Sequence, residues 1–405
     1  MNWRNRSLLG LLTAELVSLT GSAMTYIALP WFVLATTGST TKMGWVLATE
    51  LVPVAVLGIP SGSVIARLGA KRTMLVCDAA RGPLMLVIPI LHWTGRLGFG
   101  ALLAASFAVG CFSAPYLSSS RLVIPEVVGE DVRLVAATNA VVAGANQITQ
   151  IVGPVLAGVL IAATTPAAVL VVDAGTYLFS FATILVFVRA GRRVEETEES
   201  RGVLAGLRYL VRDPLLGPAL VVACLLNLVV QGLIVGIDVL AFFRYGSAHV
   251  AGFLFGAMGV GALLGAIVAQ QLTQKVDLLK LAAVAIVAMP LPLWLLPLSM
   301  PWAGALVAVG AFGFFTPLVN APLLGVITVR TPAALRPKVM TSVMTVAVLA
   351  GPLGLVGASQ ALHVVTLQQL FLAVAALLTL AGLCFAAVIV RNRGETPPAP
   401  APLAA

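Results

Sequence analysis

Apolar residues run along this chain in long blocks, and polar residues collect in the short gaps between them. Twelve blocks are long enough for a bilayer-crossing helix, which needs ~20 mostly apolar residues. They lie at approximately 8–36, 43–66, 74–92, 97–120, 134–163, 166–188, 216–243, 249–274, 281–299, 303–329, 339–362 and 366–390. Several hold Pro or Gly. Membrane helices tolerate both, because neighbouring helices satisfy the freed backbone groups.

Composition agrees with the pattern. Of 405 residues, 60% are hydrophobic and 10% charged, whereas soluble domains carry about 25% charged residues. Too few charges are present to cover a water-facing surface. The net charge of +9 could suggest nucleic acid, but its placement excludes that partner. With the N-terminus in the cytoplasm, 20 of the 24 Lys and Arg residues fall on the cytoplasmic side and only Lys42, Arg96 and Arg244 outside. That is the asymmetry by which membrane proteins fix their orientation. Both termini are expected in the cytoplasm of a bacterial inner membrane. The four cysteines sit in apolar stretches without CxxC or metal-ligand spacing. No GxxxxGK[ST] phosphate loop occurs, so ATP is not the expected energy source. No catalytic triad occurs either, so no cofactor and no enzyme activity are expected.

The longest polar gap divides the chain. Residues 1–190 form a first six-helix bundle and 216–392 a second. Residues 191–215 form a cytoplasmic linker, whose end RGVLAGLRYLVRD has apolar residues at helical spacing and predicts an amphipathic surface helix. Residues 393–405 are a Pro/Ala-rich tail expected to be disordered. A faint repeat relates the bundles. Ala114/Ala321, Pro115/Pro322, Pro125/Pro332 and Val132/Val339 are each 207 residues apart, and Gly153-Pro154 and Gly351-Pro352 are internal to the helices that follow. The fold class predicted is an all-α membrane protein. Its twelve transmembrane helices form two pseudo-symmetric six-helix halves around a central cavity, a plan that places a solute site near mid-membrane.

Four stretches carry a resemblance to the major facilitator superfamily, in particular its bacterial drug-efflux branch of macrolide, multidrug and siderophore exporters. In GSVIARLGAKR, the residues Gly62, Arg67, Gly69, Lys71 and Arg72 match the family's loop between helices two and three. Ala66 stands where the family usually has an acid that latches the halves. In helix five, IVGPVLAG keeps Gly153, Pro154 and Gly158 of the family's antiporter motif, with Thr149 in place of a Gly. Gly252/Gly256 and Gly261/Gly265 of helix eight offer small-xxx-small partner surfaces for it. Asp78 and Arg81 are three apart and share a helix face, as similar pairs do in that branch. IALPW at 27–31 resembles the branch's first helix, but Gly21-Ser22 occupies the place of its usual acid. The resemblance implies alternating access and export.

Acids at membrane depth cost roughly 2.5–3.5 kcal/mol on insertion scales, so they are functional candidates by default. Glu15 and Glu50 each lie about eight residues, or ~12 Å, into their helices. With Asp78 and Arg81 they are the candidates for proton coupling. Spacing leaves open whether Glu15 and Glu50 meet. Asn227, Gln231 and Asp238 lie two and three turns apart on helix seven, Asn146 and Gln150 share a face of helix five, and Asn320 heads the NAPLLG stretch. With the aromatic Tyr26 and Phe312 these are the candidates for lining a substrate cavity. Asp173 on helix six reads as structural.

The expected activity is export of hydrophobic or cationic small molecules in exchange for protons by a monomer in the lipid bilayer. One rival changes the cargo to a lipid, siderophore or other metabolite, with or without proton coupling. The other is a non-transporting membrane sensor or embedded enzyme, against which stand the short linker and the absence of a polar cluster near one interface.

Overall fold

The structure, a computed structural model, describes residues 6–58, 60–129, 131–189, 203–213, 216–331 and 335–391. Every regular element among them is a helix: α1 (Arg6–Thr37), α2 (Thr40–Leu57), α3 (Ser61–Leu68), α4 (Ala70–Trp93), α5 (Phe99–Val128), α6 (Val132–Ala163), α7 (Pro166–Phe187), α8 (Val203–Arg212), α9 (Leu216–Val239), α10 (Ala248–Leu272), α11 (Leu278–Ala288), α12 (Trp302–Arg330), α13 (Arg336–Ala361) and α14 (Leu367–Arg391). Ten stretches among the described residues are long and apolar enough to cross a bilayer, and the bent pair α2–α3 makes an eleventh. The remaining predicted stretch, 339–362, falls on α13, whose apolar run is the shorter Val348–Ala361. Residues 191–202 of the predicted linker and the predicted tail 393–405 lie outside the described residues.

Helix starts follow from side chains that accept the first free amides. Ser39, Asp131, Thr165 and Asp277 each accept from a backbone N–H two or three residues on. Three predicted stretches are not single α-helices. The block 43–66 breaks between Leu57 and Ser61, and α3 leaves at 65° to α2 beside Pro60. The block 281–299 ends as an α-helix at Ala288. Pro290 and Pro292 lack the amide the ladder needs, and the chain tightens to a 3₁₀ turn at Leu291–Leu295. The block 216–243 finishes in a π-helical turn, Leu240–Tyr245, closed by Gly246 at φ 59°. The block 97–120 extends further than its apolar residues, through Arg121 to Val128.

The helices gather into two compact units. The first comprises Met1–Thr197, Ile234–Gly256 and Leu355–Val364. Within it α1 packs on α7 and α6, α4 on α5 and α7, and α2 on α5. One end is filled by Leu11, Ile65, Met74, Tyr116, Val123 and Ile184, all buried. The second comprises Glu198–Leu233, Ala257–Gly354 and Val365–Ala405, with α11 packed on α12 and α14. Val284, Val307 and Leu353 are among many large apolar side chains facing outward. In water such a surface would signal an interface; in a bilayer lipid solvates it.

The predicted amphipathic helix is α8, and it belongs to the second unit. Leu210 is buried against Leu216, Leu220, Ile327, Val339 and Val343. The Tyr209 hydroxyl donates to the Arg330 carbonyl at 2.9 Å. Burial and the neighbouring Asp213 carboxylate raise the Tyr209 phenol above its ordinary pKa. Arg208, Val211 and Arg212 face outward.

Candidate proton and substrate site

The first unit contains a buried polar network at the meeting of α1, α4, α5 and α7. Asp78 is fully buried, and Arg81 one turn on donates to its Oδ1 at 2.5 Å. The predicted pair therefore forms. Two rings hold the guanidinium, whose carbon lies 4.0 Å from the Tyr116 ring centre and 4.4 Å from that of Tyr177. Cation–π contact of this kind, away from water, contributes about 2 kcal/mol per pair. Tyr177 also meets Ser22 of α1 at 3.0 Å, and Tyr116 meets Ser180 at 3.4 Å.

Asp173 is part of this network, although its sequence position reads as structural packing. It is fully buried, and its Oδ2 accepts from Thr25 of α1 at 2.5 Å. Asp173, Thr176, Tyr177 and Ser180 recur at offsets of three, four and seven. That is one face of a helix, a polar stripe in an apolar block that sequence reasoning could have found.

Glu15 is buried on α1 with Ser120 and Arg121 of α5 facing it, and its Oε2 has no hydrogen-bond partner. Glu50, half-buried on α2, instead has Asp173 as its charged neighbour. The two glutamates thus answer to different partners. Tyr26 lies within electrostatic reach of both Glu50 and Asp238. Its side chain is 41% exposed, and its ring meets Phe255 edge-on at 5.7 Å. Asp238 is buried, and its Oδ2 is without a hydrogen-bond partner. The three residues come from α1, α2 and α9.

The glycine motif of α6 is a packing device. Gly153 lies directly against Ala23 of α1. A Cβ on Gly158 would come within 2.6 Å of the Ala248 carbonyl, and one on Gly252 would strike the Pro154 carbonyl. Gly256 faces Val155. The first small-xxx-small pair of α10 therefore meets α6 as predicted. The second does not. Gly261 and Gly265 lie against Gly310 and Phe314 of α12, in the second unit, because nine residues further along α10 a different neighbour is at hand.

In the loop motif, Gly69 has φ 83° and its amide bonds the Ile65 carbonyl at 2.7 Å. An L side chain is strained at that φ. Lys71 Nζ donates to the Leu185 carbonyl at 3.4 Å, near the C-terminus of α7, where a cation also meets the negative end of the helix dipole. Arg67 and Arg72 are exposed, and nothing lies within 4 Å of where a Gly62 Cβ would be.

Other predicted positions are not drawn into the cluster. Phe312 is 2% exposed and packs inside the second unit, so it does not offer a ring to a cavity. Its apolar neighbours bury it, and spacing could not separate that outcome from cavity lining. Asn320 is exposed on α12. Asn227 and Gln231 are half-buried in the second unit, with Gln231 against Gly354, whereas Asp238 belongs to the first. Asn146 and Gln150 are exposed on α6. A cavity of about 520 Å³ in the first unit lies at helix ends, beside Phe32, Lys42, His92 and Phe99, and holds none of the predicted residues.

Sequence comparison places this arrangement. The profile described as Major Facilitator Superfamily matches residues 11–355. The chain belongs to that superfamily. Among superfamily relatives, the multidrug efflux pump Tap of Mycolicibacterium fortuitum is 26% identical over 401 residues, covering 94% of this chain and 95% of that one. Tap of Mycobacterium tuberculosis is 24% identical over 396 residues, covering 92% and 91%. Among solved structures, the nucleoside transporter NupG superposes with a TM-score of 0.79 at 12% identity, covering 96% of this chain and 99% of that one. A bacterial homologue of the iron transporter ferroportin, inward-facing, superposes with a TM-score of 0.74 at 15% identity, covering 96% and 99%. At those identities the structures establish the superfamily fold alone. The chain is thus a multi-pass membrane transporter and not an enzyme.

Proposed function

We propose that the protein exports lipophilic cations across the bacterial inner membrane in exchange for protons, as a monomer with both termini in the cytoplasm. The observation that carries this reading is that the acids Glu50 and Asp238 both lie within electrostatic reach of Tyr26, whose side chain is 41% exposed. Two carboxylates beside an aromatic face attract a delocalised cation by charge and by the ring quadrupole. The same carboxylates can be neutralised by protons, so cation and proton compete for one site. Protonation from outside empties the site, and loss of the proton inside restores the charge that loads the next cation. Exchange then needs only that each ligand favour a different state of the alternating-access cycle. The similarity to pumps named for multidrug efflux supports a lipophilic cargo.

The test is proton movement in proteoliposomes, followed by an internal pH dye as tetraphenylphosphonium and other lipophilic cations are added, for the protein and its Glu50→Gln variant. Cation-dependent flux that vanishes in the variant supports antiport with Glu50 as the coupling acid. Flux that survives moves that role to another acid. No flux with any cation removes the antiport reading in favour of an uncoupled or metabolite exporter.

A further inference from the structure

The cavity of about 520 Å³ at the helix ends of the first unit is set apart by its charge. Lys42 of α2 lines it, and no Asp or Glu does. The Lys42 ammonium faces the Phe99 ring at 5.7 Å, and among the described residues no carboxylate pairs with it. Lys71, at the other end of the unit, is by contrast engaged by the Leu185 carbonyl. Trp93, on the cavity wall, lies ~33 Å beyond Lys71 along α4 at the helical rise, close to the thickness of a hydrocarbon core. The cavity therefore sits at one membrane surface, at the level of the phospholipid headgroups. Trp93 is 61% exposed there, as the aromatic side chains of that zone commonly are.

Besides the lysine, the wall offers hydrogen-bond donors. α5 begins there, at Gly98 and Phe99, with no side chain capping its first amides. Thr165, which caps α7, accepts from the Ala168 amide at 3.2 Å and keeps its own hydrogen. The helices that end at the cavity have used many of their acceptors. The Thr36 and Thr37 hydroxyls donate to the Phe32 and Val33 carbonyls, each at 2.7 Å. The Ile90, Leu91 and His92 carbonyls of α4 accept from the amides of Thr94, Arg96 and Gly95. The rest of the wall is largely apolar and includes Phe32, Leu97 and Leu102. An unpaired cation and free donors beside apolar side chains suit an anion that carries a hydrophobic body.

We propose that this cavity binds the headgroup of an anionic phospholipid, with Lys42 as the countercharge of its phosphodiester. One lysine matches the single negative charge of a phosphodiester. Inorganic phosphate carries more charge and has nothing to set against the apolar wall. An ethanolamine headgroup brings an ammonium, for which the cavity holds no acid. Glu50, Tyr26 and Asp238 lie outside the cavity, so the lipid does not compete with a transported cation. The site therefore stands whether or not the antiport reading does. A lipid held where α2, α5 and α7 begin stabilises the folded protein, because it binds that state alone.

The experiment is native mass spectrometry of the delipidated full chain in detergent, with phosphatidylglycerol or phosphatidylethanolamine added singly, paired with thermal melting. We expect phosphatidylglycerol to bind saturably and raise Tm, and phosphatidylethanolamine to bind more weakly. Lys42→Gln should weaken phosphatidylglycerol by about tenfold or more, and Lys42→Arg should retain it. Ala35→Glu puts an acid at an exposed position on the wall and should abolish binding. Arg96 is an exposed cation at the same end but off the wall, so Arg96→Gln should bind as the parent does. Inorganic phosphate should not displace the lipid. Equal binding of the two lipids overturns the site, as do equal losses in Lys42→Gln and Arg96→Gln, which would mean attraction to a basic surface. Displacement by inorganic phosphate overturns the lipid as occupant in favour of a free anion. If Lys42→Gln does not fold, Ala35→Glu against Arg96→Gln decides by itself.

Discussion

The Arg81 guanidinium carbon lies 4.0 Å from the centre of the Tyr116 ring while the same side chain donates to Asp78. The arginine is thus held by a plane as well as by a charge. Arg81→Ala leaves the buried Asp78 without its cation, and breaking such a pair costs ~3–5 kcal/mol. We expect a large fall in Tm in detergent. Arg81→Lys should also be destabilising, because an ammonium lacks the planar face. The double variant Asp78→Leu/Arg81→Leu should melt above either single truncation. A double variant no better than Arg81→Ala would contradict the account.

Charge selectivity should follow Asp238. Asp238→Asn is expected to raise the half-saturating concentration of tetraphenylphosphonium about tenfold, equivalent to ~1.4 kcal/mol, with little effect on neutral compounds. Tyr26→Ala should weaken cations by about 0.5–2 kcal/mol. Binding titrations with charged and neutral dyes of similar size separate the two effects. Equal losses for both dyes in Asp238→Asn would remove the carboxylate from cation recognition.

The glycines should divide by what surrounds them. Gly62→Ala meets open space and should leave transport unchanged. Gly69→Ala adopts φ 83° only with strain, at roughly 1–2 kcal/mol, so a modest loss of stability is expected. Gly252→Val should abolish transport while the protein still reaches the membrane, since its side chain would displace α6. Counterflow assays alongside membrane expression levels check all three.

The linker helix should be removable. Leu210→Ala deletes the buried anchor of α8, where truncation of a core Leu costs ~2–5 kcal/mol. Tyr209→Phe removes only the hydrogen bond to Arg330, about 1 kcal/mol. Limited trypsin digestion should cut at Arg208 and Arg212 much faster in Leu210→Ala than in Tyr209→Phe. Unchanged cutting in both would mean that α8 is not held by this contact.

Most of the architecture was legible because bilayer solvation acts on composition, and composition is written in the chain. The spans, the amphipathic α8 and the Asp78–Arg81 pair all rest on local rules. What was not legible came from elsewhere in the fold. Thr25 reaches Asp173 across 148 residues of sequence, so no spacing rule links them. Phe312 looked available because a ring in an apolar block is equally compatible with a core and a cavity. The stop at Pro290 was readable from its missing amide, but apolar residues continue past it and the composition masked the break.

The close contact of Gly252 with α6 constrains how the sequence can drift. Every substitution for glycine adds atoms, and here the Pro154 carbonyl occupies the space that the first added carbon would need. A leucine in a core can be exchanged for isoleucine or methionine and the fit adjusted by degrees. This position has no such neighbours among the amino acids, so a lineage can keep the contact or lose it but cannot tune it. Variation in how tightly α6 and α10 approach must therefore be written at other positions, in residues that have a side chain to vary.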